Sequence, residues 1–452
     1  MLLGLTAAQL ALVAAAATVA VAVVYTAGAA GLVAAAPVWV LLLVAGTVSV
    51  GGRPVASWVP LLAQWKARQL IGSTTAVAST RGQRDGLRLP GMANPMDLVA
   101  CEALGAVLLV DRRAGTATAV VRTAGSGFVL DDFGSQEHKV AGWARVLAGM
   151  CQQPSIVRVQ LMMRTTPGGL APARTWWRQH CGAPTGELAT ALAGILDAGF
   201  WRPHVRDTLL AVAVRLPHTR RRLSDADVAV VAKQLESVAT SLAAAGVTTD
   251  GWLDRADLAG VVRSAYDPDA AGRADLACAS GLVGPVGIRE QWSRLRTDTA
   301  AHATYWVAEW PRQEVQPAFL QPLLLGEATA RTLTVSAEPV GTGKALREIR
   351  RAKAEHVADA AQRARIGQIE TEATRAEIAD LDRRESELVA GHGDLRFTGL
   401  ITVSAPDVAT LDERTAAMES AAAQAMCDVR RLVGQQGHAH LAAMLPLARG
   451  VL

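Results

Sequence analysis

The sequence predicts an α+β protein with an apolar membrane segment at its N-terminus and a mixed domain behind it. Two observations carry this prediction. None of the 45 basic and 41 acidic residues precedes Arg53, although apolar types make up 50% of the 452 residues. Beyond Arg53, β-rich runs alternate with helical patterns. The composition excludes a disordered or collagen-like chain, and a formal net charge of +4 excludes a strongly basic nucleic-acid coat or an acidic solvating tail.

The charge-free run predicts a transmembrane hairpin of two helices in residues 1–52. A helix needs about 20 residues to cross a hydrocarbon core of ~30 Å, and a span is helical because its backbone groups must pair internally. The run therefore holds two spans, Ala7–Ala27 and Gly31–Val50, around a Gly-rich turn. The alternatives are a secretory signal and a buried soluble hairpin, but the run is twice as long as a signal requires and no basic residue precedes it.

The distribution of basic residues predicts the orientation of this hairpin. Basic residues close to a span stay on the cytoplasmic side, and the turn between the two spans has none. The basic residues that follow the second span are Arg53, Lys66, Arg68, Arg81 and Arg84. We therefore expect a multi-pass protein of the inner (plasma) membrane with both termini in the cytoplasm.

Residues 53–95 predict a juxtamembrane amphipathic helix followed by a linker. Trp58 and Trp65 lie near Lys66 and Arg68 in an otherwise apolar segment, a composition typical of a helix at the level of the lipid headgroups. We predict these four residues at the membrane interface. A helix packed on the soluble domain is the alternative. Gly82–Pro95 is rich in Gly and Pro and predicts the linker.

The cysteines favour a reducing compartment. They are odd in number and contain no CxxC pair, unlike a disulfide framework or a zinc ribbon. Buried, reduced thiols in a cytoplasmic domain account for them. The five positions are Cys101, Cys151, Cys181, Cys278 and Cys427.

Residues 96–250 predict a first α+β lobe, which a less regular segment, residues 251–300, connects to a second. The polar and apolar residues of one strand alternate, which predicts one buried and one solvated face for that strand. A capping box of Ser224 and Asp227 opens the last helix, and Gly246 closes it. The predicted elements are the hairpin Ala106–Asp111 and Thr116–Arg122, a helix Glu137–Met150, the alternating strand Val157–Arg164, a helix Gly186–Leu196, a strand Thr208–Arg215 and that last helix.

Residues 301–452 predict a second lobe with a similar order of elements. Both lobes read as strand, helix, strand, helix, strand, helix, strand, so we predict two related lobes of the ferredoxin-like type. The second lobe carries a long helical insertion, residues 343–390. Its predicted elements are a strand Ala303–Trp310, a helix Pro317–Leu325, a strand Ala330–Ala337, the insertion, a strand Leu395–Ser404, a helix Val408–Val433 and a strand Leu441–Leu445.

The helical insertion is the most polar stretch of the chain. Its first half is mainly basic and its second half, beyond Gly367, is mainly acidic. One unbroken helix over this stretch would be ~70 Å long, whereas a break at Gly367 would give two antiparallel helices of opposite charge that could pair. We predict that the basic half binds a partner protein; a solvated helix and a nucleic-acid contact are the alternatives. The predicted contact residues are Arg347, Arg350, Arg351 and Lys353.

Motifs of catalysis, cofactor binding or metal binding are weak in this sequence, and we expect no catalytic residue, cofactor or metal. Gly341–Lys344 reads GTGK, but a Walker A loop needs Gly where Glu338 lies and Ser or Thr where Ala345 lies. A helix start accounts better for this segment. No GxSxG and no HExxH occurs.

Three further segments each allow a structural and a functional interpretation. His438 and His440 would share one face of a strand, but no third metal ligand lies nearby in sequence. The acidic residues of Tyr266–Asp269 (YDPD) suit a turn and, less well, a divalent cation. The basic run Arg215–Arg222 suits a solvated loop or a contact with anionic lipid or a partner.

Several segments together resemble an actinobacterial family of membrane proteins related to EccE of type VII secretion. YWVAEWPR followed by FLQPLLL is the most specific part. The segments are His218–Val231, Ser264–Asp269, Ala303–Arg312, Phe319–Leu325, Arg331–Pro339, Phe397–Ala405 and Leu445–Gly450.

The resemblance implies a non-catalytic inner-membrane scaffold of a secretion or conjugative-transfer apparatus. Members are often encoded in conjugative elements beside a VirB-type ATPase, so the implied partners are other subunits of a complex, including a VirB-type or type VII motor ATPase. The resemblance also implies that the two lobes of this protein are similar to the non-ATPase N-terminal part of the conjugative ATPases. Similar proteins usually carry a basic leader, whereas Met1 lies almost inside the apolar run, so the topology prediction depends on the charges after the spans. The alternatives are a membrane-anchored enzyme acting on a lipid, sugar or nucleotide, and a DNA-handling module.

Overall fold

The computed structural model describes most of the chain and divides it into two compact units. One unit runs up to Thr74 and includes Val433–Gln435, and the other holds the rest of the chain from Thr75. The described residues are 7–50, 53–78, 86–92, 94–124, 127–168, 170–181, 186–198, 204–217, 223–269, 284–326, 329–365 and 372–449.

The first unit consists of apolar helices followed by an amphipathic one. Its first helix bends at Gly28, whose φ of 65° and ψ of −161° are open to glycine because it lacks a Cβ. Gly46, near the end of the second helix, lies against Val13 of the first. In order, the elements are α1 (Ala7–Ala34), α2 (Ala36–Thr47), β1 (Ser49–Val50), β2 (Arg53–Pro54) and α3 (Val55–Leu70).

Only one helix among the described residues is long and apolar enough to cross a membrane. It is the part of α1 from Gln9 to Ala34, with 26 residues. The other apolar helix, α2, has 12 residues, fewer than the ~20 that a span requires. The structure therefore gives one candidate span where the sequence predicted two, because the bend at Gly28 and the break at Ala35 divide the apolar run unevenly.

The second unit begins with strands and helices that match the first predicted lobe closely. The capping box forms as predicted, with the Asp227 backbone N–H donating to Ser224 Oγ and the Ser224 N–H to the Asp227 carboxylate. The elements are β3 (Thr75–Val77), β4 (Gly86–Leu87), β5 (Met96–Cys101), β6 (Ala106–Asp111), β7 (Thr116–Thr123), α4 (Phe133–Cys151), β8 (Ile156–Pro167), α5 (Ala171–His180), α6 (Glu187–Ala198), β9 (His204–Arg215), α7 (Asp225–Ala244), β10 (Thr249–Trp252) and α8 (Arg255–Tyr266).

The remaining elements of this unit carry the insertion and the C-terminal segment. The predicted helix at Pro317–Leu325 is shorter in the structure, because only its last five residues are helical. The elements are β11 (Gly287–Glu290), β12 (Leu295–Thr297), β13 (Ala301–Glu309), α9 (Gln321–Leu325), β14 (Arg331–Val340), α10 (Thr342–Arg365), α11 (Glu372–Val389), β15 (Asp394–Ala405), α12 (Val408–Gln424), β16 (Asp428–Arg431) and α13 (Gln436–Met444).

All strands of the second unit join one antiparallel sheet of 14 strands. Its order is β3-β11-β12-β13-β15-β14-β8-β9-β7-β6-β5-β4, with β10 also on β7 and β16 also on β13. The two predicted lobes meet where β8 pairs with β14, from Thr165 opposite Arg331 to Val159 opposite Ala337. The lobes are therefore halves of one sheet.

The two halves repeat one order of elements. In the first half, β7, α4, β8, β9, α7 and β10 follow one another, with α5 and α6 between β8 and β9. In the second half, β13, α9, β14, β15, α12 and β16 do so, with α10 and α11 between β14 and β15. In each half the strands lie side by side in the order fourth, first, third, second.

Helices cover both faces of the sheet. On one face, α4 and α7 pack on the first half around Leu210 and Leu235, and α12 packs on the second half around Ile401 and Leu411. On the other face lie α8, α13 and the C-terminal segment that ends at Arg449.

This double cover corrects the prediction of a solvated face for the strand Val157–Arg164. Gln160 is 1% exposed and Arg164 is 4% exposed. The amide of Gln160 instead binds backbone groups of the C-terminal segment: its Nε2 donates to the carbonyls of Ala442 and Leu445, both at 2.9 Å, and its Oε1 accepts from the N–H of Ala448 at 2.7 Å. Polar alternation marked a strand correctly, but the polar side chains pair under a covering segment.

Two predictions near the C-terminus are wrong. The predicted helix Val408–Val433 ends at Gln424, because Met426 takes a left-handed φ of 56° and the chain then pairs with β13 as β16. The predicted strand Leu441–Leu445 falls largely within α13. The buried positions 436, 439, 440 and 443 of α13 follow the i, i+3, i+4, i+7 spacing of a helix, a signal that the prediction missed.

Candidate functional site

The charged hairpin, defined here as α10 and α11, is the strongest candidate for a functional surface. A small apolar cluster fixes its base, where Ile349 of α10 and Leu388 of α11 pack near Val340 at the end of β14. Two ion pairs tie the same base to β15: Glu348 with Arg396 at 2.7 Å and Arg384 with Asp394 at 3.1 Å.

Opposite charges join the two helices of the charged hairpin, as the sequence predicted. Lys353 Nζ lies 2.6 Å from Asp382 and 2.5 Å from Glu385. Hydrogen bonds to Asp382 and then to Glu385 raise the pKa of Lys353, because they stabilise its charged form. Near the outer end, His356 lies 3.8 Å from Glu377. Gly367, the predicted break, lies outside the described residues.

The four predicted contact residues differ in their availability. Arg347, Arg350 and Arg351 are exposed, the last two with 72% and 81% of the side chain in solvent. Arg350 lies 3.9 Å from Glu385, and Arg351 pairs with Glu355 in its own helix. Lys353 is engaged within the charged hairpin. Of the four predicted residues, the three arginines near the base are therefore the exposed ones.

The charged hairpin extends beyond this base. The 24 residues of α10 correspond to about 36 Å at 1.5 Å per residue. From Ala354 to Ala361 every side chain is exposed except His356, which is half-buried against α11. This outer part, about two turns long, therefore exposes small and apolar side chains, Val357 among them, together with the carboxylates of Glu355 and Asp359.

The predicted membrane-interface residues lie on α3 of the first unit. Trp65 is 5% exposed, and the guanidinium of Arg68 lies over its ring at 5.9 Å from the centroid. Trp58 is half-buried and Lys66 is exposed. The most exposed large apolar side chains of this helix are those of Val59, Leu62 and Leu70. Sequence reasoning missed them because it weighed Trp above Val and Leu as an interface residue.

The remaining motifs have structural roles in the described part of the chain. GTGK opens α10, which begins at Thr342, and Lys344 lies 4.0 Å from Glu348 one turn on. Arg215 is exposed at the end of β9, whereas residues 218–222 of the basic run lie outside the described residues. Free cysteines occur at Cys101, Cys151 and Cys427, which are buried, and at Cys181, which is exposed, while Cys278 lies outside the described residues.

A buried cluster of rings lies between α8, α13 and β13. His440 packs against His302 and Tyr266 with ring centroids 4.6 and 4.9 Å apart. His302 Nδ1 lies 2.8 Å from Ser404 Oγ. Burial lowers the pKa of His302 to about 4, lowers that of His440 well below its usual value and raises that of Tyr266. These histidines are therefore neutral in the folded protein at physiological pH.

This cluster separates the histidines of the HxH motif. His440 is fully buried and His438 is exposed, because residues two positions apart lie on nearly opposite sides of a helix, whereas they would share one face of a strand. The described residues contain no group of three or more His, Cys, Asp or Glu side chains that could hold a metal ion.

The YDPD segment ends α8 beside a pocket of about 240 Å³. Arg263, Tyr266, Asp267, Thr297 and Asp298 are among the residues that line this pocket. The Asp298 carboxylate accepts hydrogen bonds from the backbone N–H groups of residues 286 and 287, at 2.5 and 3.0 Å. These two bonds join the end of β12 to the start of β11.

Comparison with known proteins identifies no family. No protein-family model matches the chain, and no curated protein matches it.

Proposed function

We propose that this protein is a non-catalytic scaffold of the inner membrane in an EccE-like secretion or conjugative-transfer apparatus. The charged hairpin is the observation that carries the proposal. Its base is fixed by apolar packing and by ion pairs to β15, its two helices are joined by Lys353, and its arginines are left in solvent. A helical hairpin that exposes arginines near a base fixed to the sheet suits a contact with an acidic surface of a motor ATPase.

The proposed anchor is the apolar run of the first unit. We propose that α1 spans the membrane and that α2 completes a hairpin with it, because Gly46 of α2 lies close to Val13 near the start of α1. The basic residues that follow α2 would keep both termini in the cytoplasm. In this arrangement α3 lies along the membrane surface.

The proposed architecture of the second unit is a pair of ferredoxin-like lobes. The strand order fourth, first, third, second in each half and the helix after each first and third strand support it. The β8–β14 pairing would then join two lobes at equivalent strands, each with a helical hairpin inserted after its second strand.

Affinity purification from the native membrane tests the proposal. The tagged full-length protein is compared with a variant in which Arg347, Arg350 and Arg351 are changed to Glu. We expect the wild-type protein to co-purify with a motor ATPase and other membrane subunits, and the variant to lose the ATPase because reversed charges repel an acidic partner. The matched control changes three exposed arginines of the sheet region, Arg289, Arg296 and Arg312, to Glu, and we expect it to keep the ATPase.

Other outcomes would contradict the proposal. Recovery of the protein alone, also after crosslinking, would contradict the scaffold function and favour the alternative of a membrane-anchored enzyme. Co-purification of nucleic acid that weakens steeply as salt rises would favour the DNA-handling alternative instead.

A further inference from the structure

The apolar hairpin, defined here as α5 and α6, occupies the same place in the first half as the charged hairpin in the second. Its chemistry is opposite. Leu188, Leu192 and Ile195 follow the i, i+4, i+7 spacing of one helix face and form a stripe along α6. Their exposed fractions are 89%, 41% and 60%, respectively. No side chain that the structure describes in α5 or α6 is buried. An apolar helix without a buried residue lacks the packing that normally stabilises a helix in water.

The companion helix α5 adds exposed aromatic and basic groups to the apolar hairpin. Trp176 is 57% exposed and stacks on His180, with ring centroids 4.8 Å apart. Arg178 is exposed beside them. Arg174 holds the two helices together, since its guanidinium donates to the carbonyls of Leu196 and Asp197 at the end of α6. No acidic residue occurs between Thr165 and Gly186.

We infer that the apolar hairpin lies on the anionic surface of the bilayer, with the α6 stripe among the acyl chains and the α5 cations among the headgroups. This inference rests on the proposed membrane anchorage. Exposed apolar residues on one helix, with exposed Trp and Arg on the helix that precedes it, are typical of a segment at a membrane surface. The charge of α5 complements anionic headgroups. A span in the same chain would keep the hairpin near the bilayer at a high effective concentration.

The sheet relates the position of the apolar hairpin on the bilayer to that of the charged hairpin. The apolar hairpin follows the end of β8 and the charged hairpin follows the end of β14. Because β8 and β14 are antiparallel neighbours, the two hairpins leave the sheet at opposite ends. With the apolar hairpin on the bilayer, the charged hairpin points away from it, into the cytoplasm, where a motor protein can reach its arginines.

Quenching of a fluorophore by lipid tests the inference in the full-length protein. Single cysteines for the environment-sensitive dye NBD are introduced by Leu192→Cys in α6, Val21→Cys in α1 and Val357→Cys in α10, after Cys181→Ser and Cys278→Ser. Val21 and Val357 are 67% and 70% exposed apolar residues, so they match Leu192 in chemistry. The protein is reconstituted into vesicles of phosphatidylethanolamine and phosphatidylglycerol with or without brominated acyl chains.

We expect the emission of the dye at position 192 to shift to the blue and to be lost in brominated vesicles, as at position 21, while position 357 keeps its emission. Quenching at position 21 without quenching at position 192 would overturn the inference and leave the anchorage intact. A blue shift at position 192 without quenching would also overturn it, because a protein would then cover the stripe. No quenching at position 21 would overturn the anchorage itself.

Discussion

His302 and His440 are neutral in the folded protein, so the free energy of unfolding should fall with pH in the acid range. The pKa of His302 falls from 6.5 to about 4 because the ring is buried. Ser404 and Thr297 are its neighbours at 2.8 and 3.4 Å, and neither carries a charge that would stabilise an imidazolium. The native state therefore takes up the proton at lower pH than the unfolded chain does.

We predict a loss of stability as the pH falls from about 6.5 to about 4, followed by a plateau for this group. A shift of this size corresponds to about 3 kcal/mol from His302 alone. Urea unfolding of the detergent-solubilised protein, followed by tryptophan fluorescence at a series of pH values, measures it. His302→Asn should flatten the dependence, and His438→Asn, at an exposed site, should leave it unchanged. An equal slope in all three proteins would refute the assignment.

A second residue-scale prediction concerns Gly393, which precedes β15 and lies against α4. A Cβ at this position would lie 2.6 Å from Cys151 Sγ and 2.9 Å from the Cα of Ala148. Backbone cannot yield as the end of a flexible side chain can, so we expect Gly393→Ala to destabilise the protein by about 1–3 kcal/mol through overpacking. The matched control is Gly149→Ala in α4, where a Cβ meets nothing within 4 Å. This substitution should raise helix stability by up to ~1 kcal/mol. Thermal unfolding of the wild-type protein and both variants measures these changes. Equal melting temperatures of the wild-type and Gly393→Ala proteins would contradict the close contact at Gly393.

At the scale of an element, the charged hairpin depends on one lysine. We predict that Lys353→Glu opens the outer turns of α10 and α11, because a third carboxylate would then face Asp382 and Glu385. Because the pKa of Lys353 is raised, its ammonium group stays charged at neutral pH. The ion pairs are therefore lost only as the pH rises above the ordinary pKa of lysine. Hydrogen exchange followed by mass spectrometry, peptide by peptide across residues 342–365 and 372–389, measures the opening.

Arg351→Glu is the control for this prediction. Arg351 pairs with Glu355 in the same helix, so its reversal should leave the contact between α10 and α11 protected. Equal protection of the wild-type and Lys353→Glu proteins would show that the apolar base alone holds the charged hairpin together.

The charged hairpin also shows which features of the fold were predictable. The order of charges, a basic run before an acidic run, indicated that two helices would pair if the helical stretch broke near Gly367, but it did not exclude one unbroken helix. The alternation of strands and helices was equally visible, since hydrophobic periodicity reports local structure. What covers an element is a long-range property. The burial of Gln160 by residues almost 300 positions away and the pairing of the short β16 with β13 left no local signal. For the same reason, the exposed stripe of α6 could not be distinguished from a core-facing one.

At the scale of the whole second unit, the C-terminal segment binds the two halves into one body. Leu445 and Leu447 pack in a core with Met162 and Leu209 of the first half. Arg449 forms an ion pair of 2.8 Å with Asp111 of β6. The C-terminal segment thus crosses back from the second half to the core of the first, so the first half does not enclose its core alone.

We therefore predict that the second unit unfolds in a single transition. Dyes attached after His138→Cys in α4 and Glu413→Cys in α12, both at exposed sites, report the two halves separately in urea, and their midpoints should coincide. Gln160→Leu should lower both midpoints together, because it leaves buried backbone groups of the C-terminal segment unpaired at about 1–3 kcal/mol each. Gln152→Leu, at an exposed position, should lower neither. If only the dye in α4 responds to Gln160→Leu, or if the wild-type midpoints differ, the halves fold independently, and the continuous sheet across β8 and β14 contributes little to the cooperativity of the unit.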